Sequence, residues 1–184
     1  MKPMANNVAL ALSFFICLSF FPSLNAVSDN KLVNETCQKV TEKDLCLSSL
    51  SAEHASLDAK DVVTLGLIAI NVAANNGSNT TAFIRQTLLE SAELMAPTTE
   101  QNFEDCSDNF EDAMQELDDA LAFITSRDFK SMKTEVGTAM DDADECASVL
   151  DQTEGKDMEL FKKTKIFRQL VSIVHDIAKI LAPK

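Results

Sequence analysis

Apolar residues recur at every third or fourth position through most of the chain. Between residues 98 and 126 this repeat is unbroken, and acidic residues fill the opposite side of the predicted helix. Steps of three and four are the period of an α-helix that buries one stripe and exposes the rest. The apolar positions of this segment are Phe103, Cys106, Phe110, Ala113, Leu117, Ala120 and Ile124.

Two later segments, residues 128–151 and 159–182, repeat the pattern. Each carries one apolar stripe that continues for several helical turns, so each predicts a further amphipathic helix. The first stripe consists of Phe129, Met132, Val136, Ala139, Ala143, Cys146 and Leu150. The second consists of Phe167, Leu170, Val174, Ile177 and Leu181, and it is widened by Ile166, Ile173 and Ile180.

A fourth segment, residues 58–92, is apolar but less regular. The sequence Asn75–Ser78 interrupts it, and Asn and Gly are weak helix formers. We expect either a kink in one helix or a turn between two helices, and we favour one long, interrupted helix. The apolar positions on its face are Val62, Leu65, Ala69 and Val72, followed by Phe83, Leu88 and Leu89.

Four amphipathic segments joined by short connections predict an all-α protein. Residues 58–184 are expected to form an antiparallel up-down four-helix bundle. The preceding residues, 27–57, are short and polar and contain two cysteines only nine positions apart. They are expected to form an N-terminal helical hairpin closed by a disulfide, and the hairpin and bundle together make one domain.

The first 26 residues have the layout of a secretory signal peptide. Lys2 precedes a 14-residue apolar run over residues 8–21, and Leu24-Asn25-Ala26 provides a cleavage site after Ala26. A membrane anchor is the alternative, but a span needs about 20 apolar residues. We therefore expect a cleaved leader and an exported, extracellular protein.

Cleavage leaves four cysteines, an even number that predicts two disulfides in an exported chain. Three pairings are possible. Cys106 and Cys146 lie symmetrically about residue 126, where one periodic segment gives way to the next. Folding the chain back there brings these two residues side by side, within the Cα separation of about 7 Å that a disulfide allows. We therefore predict Cys106–Cys146, which leaves Cys37–Cys46.

Charge and motif content exclude several classes of function. The chain has 16 basic and 29 acidic residues, and a net charge of −13 disfavours nucleic acids and anionic membranes as partners. His54 and His175 are the only histidines, and neither has a partner at catalytic or metal-binding spacing. We expect no enzyme activity, no metal and no cofactor. Three N-glycosylation acceptors occur, at Asn34, Asn76 and Asn79.

Three stretches, residues 34–47, 103–113 and 123–146, carry a more specific signal. The first holds Asn-Glu-Thr-Cys and Asp-Leu-Cys-Leu, the second Phe-Glu-Asp-Cys-Ser, and the third runs from Phe-Ile-Thr-Ser-Arg-Asp-Phe to Ala-Asp-Glu-Cys. With the leader and the cysteine spacings, they resemble the plant invertase and pectin methylesterase inhibitor family. The resemblance covers residues 28–182 and implies the same fold and the same disulfide pairing.

The resemblance implies a secreted inhibitor that forms a one-to-one complex over the substrate cleft of a carbohydrate-active enzyme. It also implies an extracellular location in the cell wall, with the vacuole as the alternative. One branch of the family inhibits pectin methylesterases, and the other inhibits acid invertases of the wall or vacuole. Cell-wall invertase inhibitors are associated with a Pro-Lys-Phe tripeptide between the third and fourth cysteines, whereas residues 126–130 read Ser-Arg-Asp-Phe-Lys. The sequence therefore favours a pectin methylesterase as target, with acid invertase as the alternative.

In this family the second and third bundle helices contact the methylesterase, so the resemblance implies partner-binding residues on their outward faces. Rival functions from other classes are a small-ligand carrier and a signalling bundle without inhibitory activity. The implied partner-binding residues are Glu111, Asp118, Asp119, Lys130, Lys133, Thr134, Gly137, Thr138, Asp141 and Glu145.

Overall fold

The structure, a computed structural model, describes residues 30–151 and 158–182; the predicted leader lies outside this part of the chain. Across these residues the chain forms helices and no strands. No helix in the described residues is both long and apolar enough to cross a bilayer. The helices are α1 (Lys31–Cys37), α2 (Lys43–Ala52), α3 (His54–Leu57), α4 (Val62–Ser91), α5 (Pro97–Ser126), α6 (Phe129–Asp151) and α7 (Met158–Leu181), with a 3-10 turn over Ala92–Leu94.

Helices α4 to α7 form the predicted up-down four-helix bundle. Helix α5 packs between α4 and α6, and α7 packs against α4 and α6 on the other side. The two longest helices have 30 residues each, which corresponds to about 45 Å. All seven apolar positions predicted for α5 are buried. The core is continuous, and the ring centroids of Phe110 and Phe167 are 4.8 Å apart at its centre.

A tight turn joins α5 to α6 and reverses the chain. Arg127 adopts the left-handed conformation with φ of 63°, and its N–H donates to the carbonyl of Ile124 at 3.2 Å. The N–H of Asp128 reaches back to the carbonyl of Phe123 at 2.9 Å, as in other left-handed helix ends. The Asp128 carboxylate then accepts hydrogen bonds from the backbone N–H and the hydroxyl of Ser131, which caps α6.

The expected interruption of α4 at Asn75–Ser78 is absent, and the helix is continuous from Val62 to Ser91. Gly77 is buried, with no space for a side chain between α4 and its neighbours α5 and α7. The hydroxyls of Thr80 and Thr81 donate to the carbonyls four residues earlier, at 3.0 and 3.2 Å. Close packing around Gly77 outweighs the weak local helix propensity, and the two hydroxyls satisfy their own hydrogen bonding within the helix.

Two residues assigned to apolar stripes are exposed instead. Leu89 is 88% exposed because the buried side of α4 runs through Thr80 and Ile84 toward Leu88, which turns Leu89 outward. Ile166 is 43% exposed because it lies on the outer side of α7, where the N-terminal hairpin does not reach. Ile173, two turns further along the same side, is buried.

The N-terminal hairpin of α1 and α2 docks on the second half of α7. Its connecting loop is held by Asp176, whose carboxylate accepts from the N–H and the hydroxyl of Thr41, both at 2.8 Å. Gln169 donates to the carboxylate of Glu42 at 3.0 Å. The predicted pairing of Cys37 with Cys46 closes the hairpin, with a Cα separation of 5.5 Å.

Candidate partner-binding surface

The second disulfide fixes the relative position of α5 and α6. Cys106 and Cys146 are bonded to each other, as the sequence predicts, and their Cα atoms are 4.7 Å apart. Both residues are fully buried. Because the bond lies near the end of the two helices opposite the Arg127 turn, the pair is clamped at both ends and presents one continuous outer surface.

Carboxyl groups from both helices converge along the outer edge of this interface. We call this group of five residues the acidic seam. One carboxyl oxygen of Glu116 and one of Asp142 are shielded from solvent, and neither has a hydrogen-bond partner in the described residues. The acidic seam consists of Asp112, Glu116 and Asp119 on α5 and of Glu135 and Asp142 on α6.

Crowding in the acidic seam raises two pKa values. The carboxyl group of Glu116 shares a hydrogen bond with that of Glu135, which together with desolvation and repulsion from neighbouring acids raises the pKa of Glu116 to about 7. Desolvation, followed by repulsion from Asp112 and from acids on its own helix, raises the pKa of Asp142 to about 6. Near neutral pH the seam is therefore strained by like charge in the free protein.

The elevated pKa of Glu116 predicts a pH-dependent stability. The ordinary value is 4.5 and the folded value is about 7, so the native state binds this proton more tightly than the unfolded chain. The stabilisation is complete below the ordinary value and is lost as the pH rises through the folded value. Glu116→Gln should therefore raise the free energy of unfolding by about 1 kcal/mol near pH 8, a value reduced for solvent screening because Glu116 is half-exposed. Near pH 4 the free energy of unfolding should change little.

Urea denaturation followed by far-ultraviolet circular dichroism at both pH values measures this difference. Asp118→Asn is the matched control, because it neutralises an exposed carboxylate of the same helix outside the seam. If Glu116→Gln raised the free energy of unfolding equally at both pH values, the result would contradict the raised pKa of Glu116.

The structure divides the predicted partner-binding residues among three sides of the helix pair. Thr138 and Glu145 lie toward α5, along the acidic seam together with Asp119. Lys130, Thr134 and Asp141 occupy the outward centre of α6.

Two of the predicted residues on α6 lie toward α7. Lys133 is close enough to His175 of α7 to lower its pKa, although burial has the larger effect. Gly137 is on the same side of α6 by helical period, and open space surrounds the position that a Cβ atom would occupy.

The structure places Glu111 and Asp118 on a different side of α5 from the acidic seam. The carboxylate of Glu111 forms an ion pair with Arg85 of α4 at 2.5 Å, on the side of α5 away from α6. Asp118 follows Glu111 by seven residues and so lies on that same side. Four residues of the seam were not among the predicted partner-binding residues: Asp112, Glu116, Glu135 and Asp142. Their spacings, four residues on α5 and seven on α6, place each pair on one side of its helix and could have identified them.

The described residues contain no group of three or more His, Cys, Asp or Glu side chains arranged to hold a metal ion. His175 is half-buried in α7, and burial is the main cause of its lowered pKa. The chemical character of the α5–α6 surface is therefore that of a charged, rigid contact face.

Comparison with known proteins agrees with this fold. Residues 31–177 match the family described as "Plant invertase/pectin methylesterase inhibitor", and the chain belongs to that family. A protein from Platanus acerifolia named "Putative invertase inhibitor" is 30% identical, over 94% of this chain and 99% of its own. A "Pectinesterase inhibitor" from Actinidia deliciosa is 28% identical, over 95% of this chain and 91% of its own.

Solved structures support the fold. A pectin methylesterase inhibitor from Arabidopsis thaliana superposes with a TM-score of 0.63 at 20% identity, covering 85% of this chain and 99% of that one. A mutant form of an Arabidopsis pectin methylesterase inhibitor superposes with a TM-score of 0.70 at 21% identity, covering 80% and 95%. Family membership makes the chain an inhibitor and not an enzyme, and it implies an enzyme as partner. The relatives are named for two different target enzymes.

Proposed function

We propose that this protein inhibits a pectin methylesterase by forming a one-to-one complex in which the α5–α6 surface covers the substrate cleft. The observation that carries the proposal is the acidic seam. Its shielded carboxyl oxygens on Glu116 and Asp142 lack hydrogen-bond donors within the described residues. A partner that presents Lys or Arg side chains to the exposed carboxylates of the seam, Asp112 and Asp119, would relieve the repulsion between the carboxylates.

Charge and shape also support this surface. The chain carries a net charge of −13, so a basic enzyme would be steered toward it at long range. A standard interface buries about 800 Å² on each partner, which two helices of this length can provide. The disulfide and the Arg127 turn hold the two helices in register before binding, which reduces the ordering cost of association.

The turn between α5 and α6 favours the methylesterase over an invertase. It reads Thr125-Ser126-Arg127-Asp128-Phe129 and lacks the Pro-Lys-Phe tripeptide associated with cell-wall invertase inhibitors. Its shape comes instead from the left-handed Arg127 and the Asp128 cap. Arg127 is exposed at the tip, next to the half-buried ring of Phe129.

A side-by-side inhibition assay tests the choice of target. Oxidised protein lacking the leader is titrated against a plant pectin methylesterase and a cell-wall invertase from acidic to neutral pH. We expect loss of methylesterase activity alone, with an association rate that falls as salt is added. Loss of invertase activity alone would overturn the target, and no effect on either enzyme would overturn the inhibitory role.

Acid invertase is the second candidate, and the Platanus relative named as an invertase inhibitor favours it. In that case the same surface would serve a different enzyme. The assay above separates the two candidates because it measures both activities with one preparation.

A single substitution beside the acidic seam tests the surface. Thr138 is exposed on α6 between the levels of Glu135 and Asp142. Thr138→Trp should weaken inhibition at least tenfold, because the bulky ring prevents close approach at the centre of the interface. The inhibition constant is the measurement, and circular dichroism checks that helicity is unchanged.

Gln86→Trp on the outer side of α4 provides the matched control, because it adds the same ring at an exposed position outside the proposed interface. It should inhibit like the unaltered protein. If the two variants lose inhibition equally, or if only Gln86→Trp does, the interface lies elsewhere.

A further inference from the structure

Two consecutive N-glycosylation acceptors, Asn76-Gly77-Ser78 and Asn79-Thr80-Thr81, lie in the middle of α4. A sequence pattern alone cannot rank them, because both satisfy the Asn-x-Ser/Thr rule. A glycan is large and hydrophilic and must project into solvent from the folded protein. The surroundings of the two amide groups therefore decide which acceptor the fold can tolerate.

The environment of Asn76 is less open. The residue is half-buried, and its amide oxygen is shielded from solvent and has no hydrogen-bond partner in the described residues. The adjacent Gly77 is packed so tightly that a Cβ atom there would lie 2.5 Å from the sulfur of Met114 and 2.8 Å from Cε2 of Phe167. A sugar bonded to the Asn76 nitrogen would have to leave the protein from beside this shielded oxygen, at the edge of the contact between α4 and its neighbours.

The environment of Asn79 is open. Asn79 is exposed, and so are Asn75, Ser78 and Ala82 around it. This outer side of α4 is nearly free of charge, since Arg85 and Glu90 are the only charged residues of the helix. A sugar at Asn79 would displace no packed side chain and break no ion pair.

The hydroxyl of Thr81, the third residue of the Asn79 acceptor triplet, limits when the glycan can be added. In the folded protein Thr81 is buried and its hydroxyl donates to the carbonyl of Gly77. A transferase needs this triplet accessible, so modification must precede closure of α4, and the helix must then form around the glycan. Both glycan transfer and the later formation of α4 are possible only if the modified amide group is exposed to solvent in the folded protein.

We infer that Asn79 carries an N-linked glycan, whereas Asn76 does not, and that this glycan covers the uncharged outer side of α4. The donor is a lipid-linked oligosaccharide diphosphate of the secretory pathway. A bond forms between the Asn79 side-chain nitrogen and the first sugar carbon, the bond from that carbon to the diphosphate breaks, and the nitrogen loses a proton to the medium.

The location of the glycan is compatible with inhibition. Helix α4 packs against α5 and α7 and lies diagonally across the bundle from α6. A glycan at Asn79 therefore points away from the acidic seam and leaves the proposed contact surface accessible. The inference does not depend on which enzyme is inhibited.

Site mapping on the full chain exported from plant cells tests the inference. Glycosidase release in water enriched in heavy oxygen converts the acceptor Asn to a labelled Asp. Cleavage after Lys60 and Arg85 yields residues 61–85 as one peptide, and fragment masses separate Asn76 from Asn79. We expect the label at Asn79. A label at Asn76 that appears only with the glycosidase, or no label on this peptide, overturns the inference; a digest without glycosidase measures the spontaneous deamidation of the Asn76-Gly77 pair.

Two variants make the assignment independent of peptide fragmentation. Asn79→Gln should lose the glycan from this peptide, and Ser78→Ala, which removes only the Asn76 triplet, should retain it. The opposite result overturns the inference. Inhibition is assayed separately, so a protein that is glycosylated at Asn79 but inhibits neither enzyme contradicts the proposed function alone.

Discussion

Removing the Cys106–Cys146 disulfide by the double substitution Cys106→Ala/Cys146→Ala is expected to cost about 4 kcal/mol of folding free energy. The bond joins residues 40 positions apart, and its loss frees a large loop in the unfolded chain. For a domain of this size the melting temperature should fall by roughly 8–16 °C. Far-ultraviolet circular dichroism during urea and thermal unfolding gives both quantities, and the chain contains no Trp or Tyr that could report by fluorescence.

The matched control is the double substitution Cys37→Ala/Cys46→Ala. That disulfide closes only nine positions, and the same chain-entropy relation gives about 2.7 kcal/mol. Both pairs are fully buried, so the loss of packed sulfur is similar in the two variants. If the control lost as much stability as the long-loop variant, loop length would not be the source of the stabilisation.

Gly77→Ala is expected to destabilise the protein by about 1–3 kcal/mol, although alanine is the better helix former by about 1 kcal/mol. The new methyl group would lie 2.5 Å from the Met114 sulfur and 2.8 Å from Phe167 Cε2. The methionine chain can shift, but the ring of Phe167 is fully buried and packs against Phe110. The midpoint of urea unfolding measures the loss.

Gly137→Ala is the control for this prediction, and it should have the opposite sign. No atom lies within 4 Å of the position that its Cβ would occupy. The substitution should therefore stabilise α6 by about 0.5–1 kcal/mol through helix propensity alone. Equal effects at the two glycines would contradict the close approach of α4 to α5 and α7.

The sequence predicted α5 accurately and α4 less well, for an identifiable reason. In α5 a strict repeat from Phe103 to Ile124 signals one buried stripe, and every position of it is buried. In α4 the Asn-Gly pair suggested an interruption, because the sequence of a single segment shows its helix propensity but not its contacts with other helices. The contacts of Gly77 and the hydroxyl bonds of Thr80 and Thr81 come from the folded helix and its neighbours.

The candidate surface was predictable in outline only. Helical period identifies Thr138 and Glu145 as outward, and the structure places them beside the acidic seam. The period of α5 alone cannot tell which flank faces α6 and which faces α4, since this depends on how the bundle winds. For that reason the sequence lists Glu111 together with Asp119, although Glu111 pairs with Arg85 of α4 and Asp119 lies along the seam.

The helical architecture, the disulfide pairing and the family resemblance could all be read from the sequence. These follow from spacing along one chain: apolar repeats, a midpoint between two cysteines, and short motifs. The folded bundle was needed to show that Glu135 of α6 raises the pKa of Glu116, that the amide oxygen of Asn76 is shielded while Asn79 is exposed, and that Gly77 is a contact point between helices. Each of these depends on neighbours from other helices or on the packed bundle, and burial and electrostatic interactions arise only where separate segments meet.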